Sequence, residues 1–535
     1  MATTPSPSLA ELLEGHVTLD VECFDRLYLN VYQPKLQTPG GVIYFLHDHR
    51  ANPIPSPALF RPMGDAYRKA VAAFAEDNGI EMLTFKAGQR KIDVATPYLQ
   101  KMKEPGVALI GKAQEIQWVM MGTDVRRDPD TGCPHYSFKK VDRRVTVYYF
   151  YAMDEEWGPT FLKMAAYFPY PGKLWCNGHE WCKRQLEKKG IAYTPLANGF
   201  AAVEDSDAVK QLCCRLAGPQ VQDLFERSLS RVPLPLGPKD FDAGFFWEAS
   251  MNQVEFSRTL ILDRPARARA FFDRVVESSA TLGRPSEIQL IFGRRVQKNT
   301  PGLFRTVLMH EGVEPRVSIY YKSSREKLYL KEGRGARLEL QVNNPTDVGV
   351  QRRIEHLGTL GAIARAVNRR TLDVLRVASA PDLSTSLFER VALPDGCAGS
   401  RTVALRYGDP RVMALMAALT LCLHQIQGLT NKSLRPLVAT LLGTPYGPNQ
   451  MSYDLWRLRT NGLIERIGKS YTYVLTPEGI RICLFYTKSY RRIIDPLFAA
   501  GGAGPQARAA PELRDALRAI DQAVSRLAGE ARMAA

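Results

Sequence analysis

With 535 residues and 45% hydrophobic content, the chain is too long for one core and too apolar for disorder, and it reads as roughly two to four globular domains. No run approaches the roughly 18 apolar residues of a membrane span, the start MATTPSPSLAELLEGHVTLD lacks the pattern of a signal peptide, and the nine cysteines are too scattered for a disulfide framework. A cytoplasmic protein with no membrane partner is expected, and a formal charge of +16 makes polyphosphate, hence nucleic acid, the first partner class to consider.

In chain order, Arg26 to Tyr32 (RLYLNVY) and Gly41 to Leu46 (GVIYFL) read as two strands of a hairpin, with Pro and Gly of PKLQTPGG in the turn. Pro62 to Asn78 has helical spacing, and Ile80 to Phe85 and Gly106 to Gly111 read as strands. A basic, turn-rich stretch, Gly122 to Arg144, precedes Val145 to Ala152 (VTVYYFYA), a run of high strand propensity. Glu180 to Lys189 reads as a helix that stops at Gly190, and helices continue to about Ser278. The run VPLPLGPKDFD (232–242) reads as a domain boundary. Beyond it, Glu287 to Phe292, Val317 to Tyr321, Lys327 to Leu330 and Ala336 to Val342 read as an antiparallel sheet, followed by a helix from His356 to Ala378. No internal repeat is visible. The fold class expected is α+β multidomain: a mixed α/β domain (1–235), a basic antiparallel sheet with a helix (236–400), a winged helix (401–500), then a linker and an amphipathic helix (501–535) that docks back or pairs two copies as a homodimer.

Candidate chemistry lies in three places. VTVYYFYA ends at Asp154, and a carboxylate at a strand end is how metal-dependent nucleases place a first ligand. Downstream, CNGHEWCKRQLEKKG brings His179 and Glu180 together, so Asp154, His179 and Glu180 form the candidate catalytic and metal set, with Mg2+ or Mn2+ as the expected ion. Glu115 with Lys112, after the strand at Gly106, is the second catalytic candidate. His47-Asp48-His49, placed on a strand, would aim both imidazoles to one side as a divalent-metal clamp, and Cys176, His179 and Cys182 are a weaker zinc candidate. Neither a phosphate loop nor a dinucleotide fingerprint occurs, so no nucleotide cofactor is expected. In the middle region basic residues alternate with rings, and Lys322, Lys327, Lys331, Arg334 and Arg337 are expected on a basic sheet face suited to a phosphate backbone. An ordinary solvated sheet face is the alternative.

Toward the C-terminus, a helix from Val412 to Leu423, a second capped by Thr430 (Asn431 to Leu442), a third entered through Pro448 (Asn449 to Thr460) and two short strands around Gly-Lys-Ser follow in order. The string LWRLRTNGLIERIGKSYTYVLTPEG resembles the recognition helix, wing and closing helix of winged-helix regulators of the antibiotic-resistance type, over roughly ninety residues. That resemblance implies DNA contacts from Gln450, Tyr453, Trp456, Arg457 and Thr460 on the third helix and from Lys469 and Tyr471 on the wing. A protein-interaction role for the same module is the alternative.

YYKSSREKLYLKEGRGARLELQVNN weakly resembles part of phage and plasmid replication-initiator domains, although His47-Asp48-His49 departs from their metal motif. Together with FPYPGKLWCNGHEWCKRQL these stretches also resemble a bacterial protein family with no activity attached to it. The expectation is a sequence-directed DNA binder of a mobile or replicating element, with metal-dependent strand cleavage as an added activity. A non-enzymatic regulator or architectural binder and an RNA-binding or RNA-processing protein are the alternatives.

Overall fold

The computed structural model describes residues 9–279, 291–292, 301–311, 314–379, 385–392, 404–420, 429–466 and 471–489. The chain divides into two units: Ala10–Ser279 with Pro301–Arg369, and Arg370–Ala535 with Met1–Leu9 and Ala280–Thr300. The expected C-terminal helix at 512–528 lies outside the described residues. No described helix is long and apolar enough to cross a membrane.

The first unit is α+β and is built on one eleven-stranded sheet. Its strands are β1 (Val17–Tyr32), β2 (Met82–Thr84), β3 (Gly106–Arg127), β4 (Pro134–Asp154), β5 (Gly158–Ala165), β6 (Gly172–Asn177), β9 (Glu248–Leu262), β10 (Leu303–Glu311), β11 (Glu314–Lys322), β12 (Ser324–Lys331) and β13 (Gly335–Val342). A separate hairpin pairs β7 (Tyr193–Leu196) with β8 (Gly199–Val203). The order in the large sheet is β10-β11-β12-β13-β9-β1-β6-β5-β4-β3-β2, and β2 with β3 is its parallel pair.

That order contains a repeat the sequence does not display. In each half a long strand, β1 or β9, is followed by a helical segment (in the first half several helices with β2 among them) and then by a meander of four strands whose last member returns to pair with the long strand. The two long strands pair antiparallel in the middle, which relates the halves by a pseudo-twofold axis normal to the sheet. Residues on both sides of 232–242 therefore belong to one sheet, and that Pro-rich run is a turn and short helix inside the unit.

Alternation along the strands decides what covers each face. Leu328, Leu338 and Leu340 are buried on the face where helix Pro265–Ser279 packs, through Phe271 and Phe272. Helix Leu357–Ser379 covers the same face nearer the centre, where the Phe24 ring fits against Gly361 and Arg365 lies 5.3 Å over the Phe256 ring. In the first half, helix Phe60–Asp77 sets Tyr67 edge-on to Tyr148. On the opposite face helix Lys91–Lys101 seals one edge, with Ala95 and Leu99 against Leu109, Ala113, Tyr149 and Tyr151.

Two expected elements differ. Pro39–Tyr44 is a helix and Phe45–His49 a helical turn, because Thr38 caps Gly41 N–H and Pro39 stands at the first position; the hairpin reading took this start signal for a turn. His47 and His49 are thus not on a strand, and His49 instead bonds Asp240 at 2.7 Å. The stretch Gly122 to Arg144 is mostly strand: β3 and β4 run on as a long ribbon that turns between Asp128 and Cys133, with Ile116, Trp118 and Val125 exposed.

In the second unit, helices Pro410–Thr420, Asn431–Leu442 and Pro448–Thr460 pack with strands β14 (Ile464–Arg466) and β15 (Tyr473–Leu475) and helix Pro477–Ser489 around Leu415, Leu434, Val438, Leu455, Leu458, Ile482 and Tyr486. Thr430 caps the second of these helices as the sequence indicates, and Gly443 ends it with φ +69°.

Candidate nucleic-acid interface

The centre of the sheet carries an ionic cluster created by a bulge. Phe24 pairs with Phe256 and Leu27 with Val254, so Asp25 and Arg26 together stand opposite Glu255. Asp25, Glu255 and Glu339 are buried, with one oxygen of each inside a 4.8 Å sphere of mutual approach. Arg337, itself fully buried, bonds Asp25 at 2.6 Å, while Lys327 pairs with Glu339, and the Tyr329 hydroxyl donates to Glu339 at 2.7 Å. His179 lies beside them, 3.0 Å from the Ser257 hydroxyl. Burial, then the nearby Arg337, pushes its pKa well down, so it stays neutral.

The carboxylates titrate apart. Burial and the charge of Glu339 push Glu255 up to about 7. Burial also works to raise Glu339, but Lys327 and Arg337 outweigh it and hold this group at about 2. The unfolded Glu255 ionises near 4.5, so between pH 4.5 and about 7 the folded chain binds the extra proton, and stability falls as pH rises through this window. Glu255→Gln is expected to flatten that slope in unfolding midpoints measured across the window; an unchanged slope would remove Glu255 as its source.

Beside the cluster, side chains on one face line up across nine strands. Register places Tyr151 opposite Phe161, Phe161 opposite Trp175, Trp175 opposite Tyr28 and Tyr28 opposite Gln253. On the other side of the axis, after a step of two residues because Gln341 stands opposite Glu255, Gln341 pairs with Arg325, Arg325 with Tyr320 and Tyr320 with Arg305. Phe161 and Trp175 stack at 5.7 Å and 7°, Tyr28 is 6.5 Å from Trp175, and the Arg305 guanidinium sits 5.8 Å over Tyr320. Half-buried Lys173 and buried Lys163, which pairs with Glu115 at 3.1 Å, lie in a second row next to the rings, and within the first row Tyr151 and Gln341 are themselves buried. At about 4.8 Å per strand the line is roughly 38 Å long. On the other face of the sheet's first half, a cleft of about 370 Å³ is lined by Arg61, Arg68, Arg143 and Arg144.

The residues expected to act together do not all meet. Asp154 is buried and closed: Arg227 and Arg231 bond both its oxygens, and it caps the N–H groups of Glu156 and Trp157. Glu180 pairs with Lys183 at 2.7 Å. Among the described residues Asp154, His179 and Glu180 do not form a metal-ligand group. Glu115 and Lys112 lie three apart on an unbroken part of β3 and so on opposite faces. Burial acts to raise Glu115, yet the Tyr149 hydroxyl at 2.6 Å and the ammoniums of Lys163 and Lys91 hold it at about 2, where it is a fixed anion.

Of the basic residues, Lys322 and Lys331 are half-buried and Arg334 is exposed, whereas Lys327 and Arg337 are inside, committed to carboxylates. The rings of Tyr28, Phe161 and Trp175 were not singled out by the sequence reading. Their signal is the two-residue period in Phe161-x-Lys163 and Lys173-x-Trp175, which puts ring and cation on one face.

In the second unit Tyr453 and Trp456 stand on the outer side of helix Pro448–Thr460, each 43% exposed and stacked at 5.7 Å. Gln450 caps its own helix through Gly447 N–H at 2.8 Å. Arg457 is a correction: it is buried, bonded to Asp454 at 3.0 Å and to the Ala404 carbonyl, and is not available to a ligand. Tyr471 is 80% exposed with Arg466 over its ring, and Lys469 lies outside the described residues.

Comparison of the chain with protein-family models, with curated proteins and with solved structures returns no match.

Proposed function

We propose that this protein binds nucleic acid, DNA in the first place, through two surfaces. The observation that carries the reading is the transverse row of rings and cations on the sheet, since sequence-tolerant stacking beside positive charge is what unpaired bases on a phosphate backbone require. The second surface is helix Pro448–Thr460 with the β14–β15 pair, which we read as a winged helix that offers Tyr453, Trp456 and Tyr471 to duplex DNA. Duplex reading combined with a single-strand platform suits a protein of a mobile or replicating element. A regulator or architectural binder uses the same surfaces without cutting, and RNA is the alternative ligand of the sheet.

Metal-dependent cleavage is the second reading, and the convergence of Asp25, Glu255 and Glu339 is what favours it. Arg337 and Lys327 already neutralise much of that charge, so binding without cutting is preferred. The test is a retardation gel with labelled single- and double-stranded DNA and RNA, with and without magnesium or manganese. Salt-sensitive retardation is expected, and Tyr453→Ala with Trp456→Ala is expected to weaken duplex binding about tenfold, or about 1.4 kcal/mol. Retardation of none of the four probes overturns the proposal, and products that appear only with metal establish cleavage.

A further inference from the structure

Three cysteines from three separate elements meet in the core of the first unit. Cys23 on β1, Cys182 on helix Gly178–Lys188 and Cys213 on helix Ser206–Arg215 are each fully buried. The Sγ of Cys182 is 3.7 Å from that of Cys23 and 3.5 Å from that of Cys213, and all three sulfurs lie within 4.8 Å of one another. Three thiolates at about 2.3 Å from a common ion stand about 3.8–4.0 Å apart, so this spacing needs only small adjustment to close on a metal. Buried cysteines also pack as small apolar groups, but packing asks for no convergence of three sulfurs from residues 31 and 159 positions apart.

We propose that Cys23, Cys182 and Cys213 form a three-thiolate site for a soft monovalent ion, copper(I). Softness selects the ion class, and coordination number selects within it. Zinc takes a fourth ligand in structural sites, and among the described residues no fourth His, Cys, Asp or Glu joins this group. Copper(I) is satisfied by two or three thiolates. Three thiols bind one copper(I) with release of three protons and no change of oxidation state. The complex carries two negative charges, and Arg365, whose positive field reaches Cys213, opposes them. The exposed Cys133 and Cys214 stand outside the set.

The test is to titrate the full, reduced chain with copper(I) under anaerobic conditions against a chromophoric copper(I) chelator, then to record X-ray absorption at the copper edge. One equivalent per chain withheld from the chelator, with a shell of sulfur alone, is the expected result. Cys182→Ala and Cys213→Ser are each expected to lose it, while Cys133→Ser with Cys214→Ser keeps it; unfolding midpoints confirm that the variants are folded. Copper held equally by the Cys182 and Cys213 variants overturns the site, as does failure to compete with the chelator. Displacement of copper by zinc in a four-coordinate environment, or a Cys182–Cys213 disulfide that forms in preference to the metal complex, overturns it as well. None of these outcomes depends on nucleic-acid binding.

Discussion

Trp175→Ala is expected to weaken binding of single-stranded DNA by about 1–3 kcal/mol, roughly 5- to 150-fold, because a stacked base loses that amount with its aromatic partner. Trp175 is the centre of the ring series, stacked on Phe161 and beside Tyr28, so its removal opens the row where it is densest. Trp175→Phe keeps a ring and is expected to restore most of the affinity, which separates stacking from a packing defect. Arg305→Ala at the other end acts differently: it removes one cation and is expected to lower the salt dependence by about one counterion. Fluorescence anisotropy with a labelled oligonucleotide at several salt concentrations measures both. Unchanged affinity in a folded Trp175→Ala protein would take the row out of the interface.

Arg337→Met is expected to destabilise the first unit by about 3–5 kcal/mol, the usual result of leaving a buried charge unpaired. Its guanidinium is fully buried, holds Asp25 at 2.6 Å and reaches the Asn198 carbonyl, so its loss strands Asp25 in the sheet, while Glu339 keeps Lys327 and Tyr329. Adding Asp25→Asn to Arg337→Met is expected to return part of the stability, since it removes the stranded charge. Urea unfolding followed on the sheet's own signal checks this, given that two units need not unfold together. A loss under about 1 kcal/mol would mean that water reaches the cluster and that it is not a structural keystone.

These two residues also mark what the sequence could and could not reveal. Strands β11, β12 and β13 and the helices Asn431–Leu442 and Pro448–Thr460 were legible because their signals are local: period-two alternation, a Thr430 cap, Pro at the first helical position. Arg337 read as a surface cation because its partner, Asp25, lies 312 residues away, and no local pattern carries that distance. Arg457 misled in a related way: Asp454, three residues earlier, is visible as an ion-pair partner, but its burial depends on Arg411, Tyr446 and the Ala404 carbonyl. Of the candidate interface, the sequence pointed to the right strands but to other residues, since Lys327 and Arg337 are buried and the row holds Arg325 and Arg305, while Tyr28, Phe161 and Trp175 come from three strands that only the sheet order makes neighbours. Conversely, the repeat of strand order left no trace in the residues, because antiparallel pairing tolerates wide substitution so long as alternation is kept.

The two halves share a topology but not a surface. One half presents rings, the other guanidinium and amide groups with the one ring of Tyr320, along a line that steps by two residues at the centre, where Tyr28 pairs with Gln253 but Gln341 with Glu255. A symmetric ligand would gain nothing from that difference, whereas a polymer with distinct ends meets a different chemistry at each, so laying it down forwards and backwards costs different energies. If the row is the proposed nucleic-acid surface, the repeated strand order gives it a built-in heading, and an end-labelled oligonucleotide is expected to lie along it in one orientation.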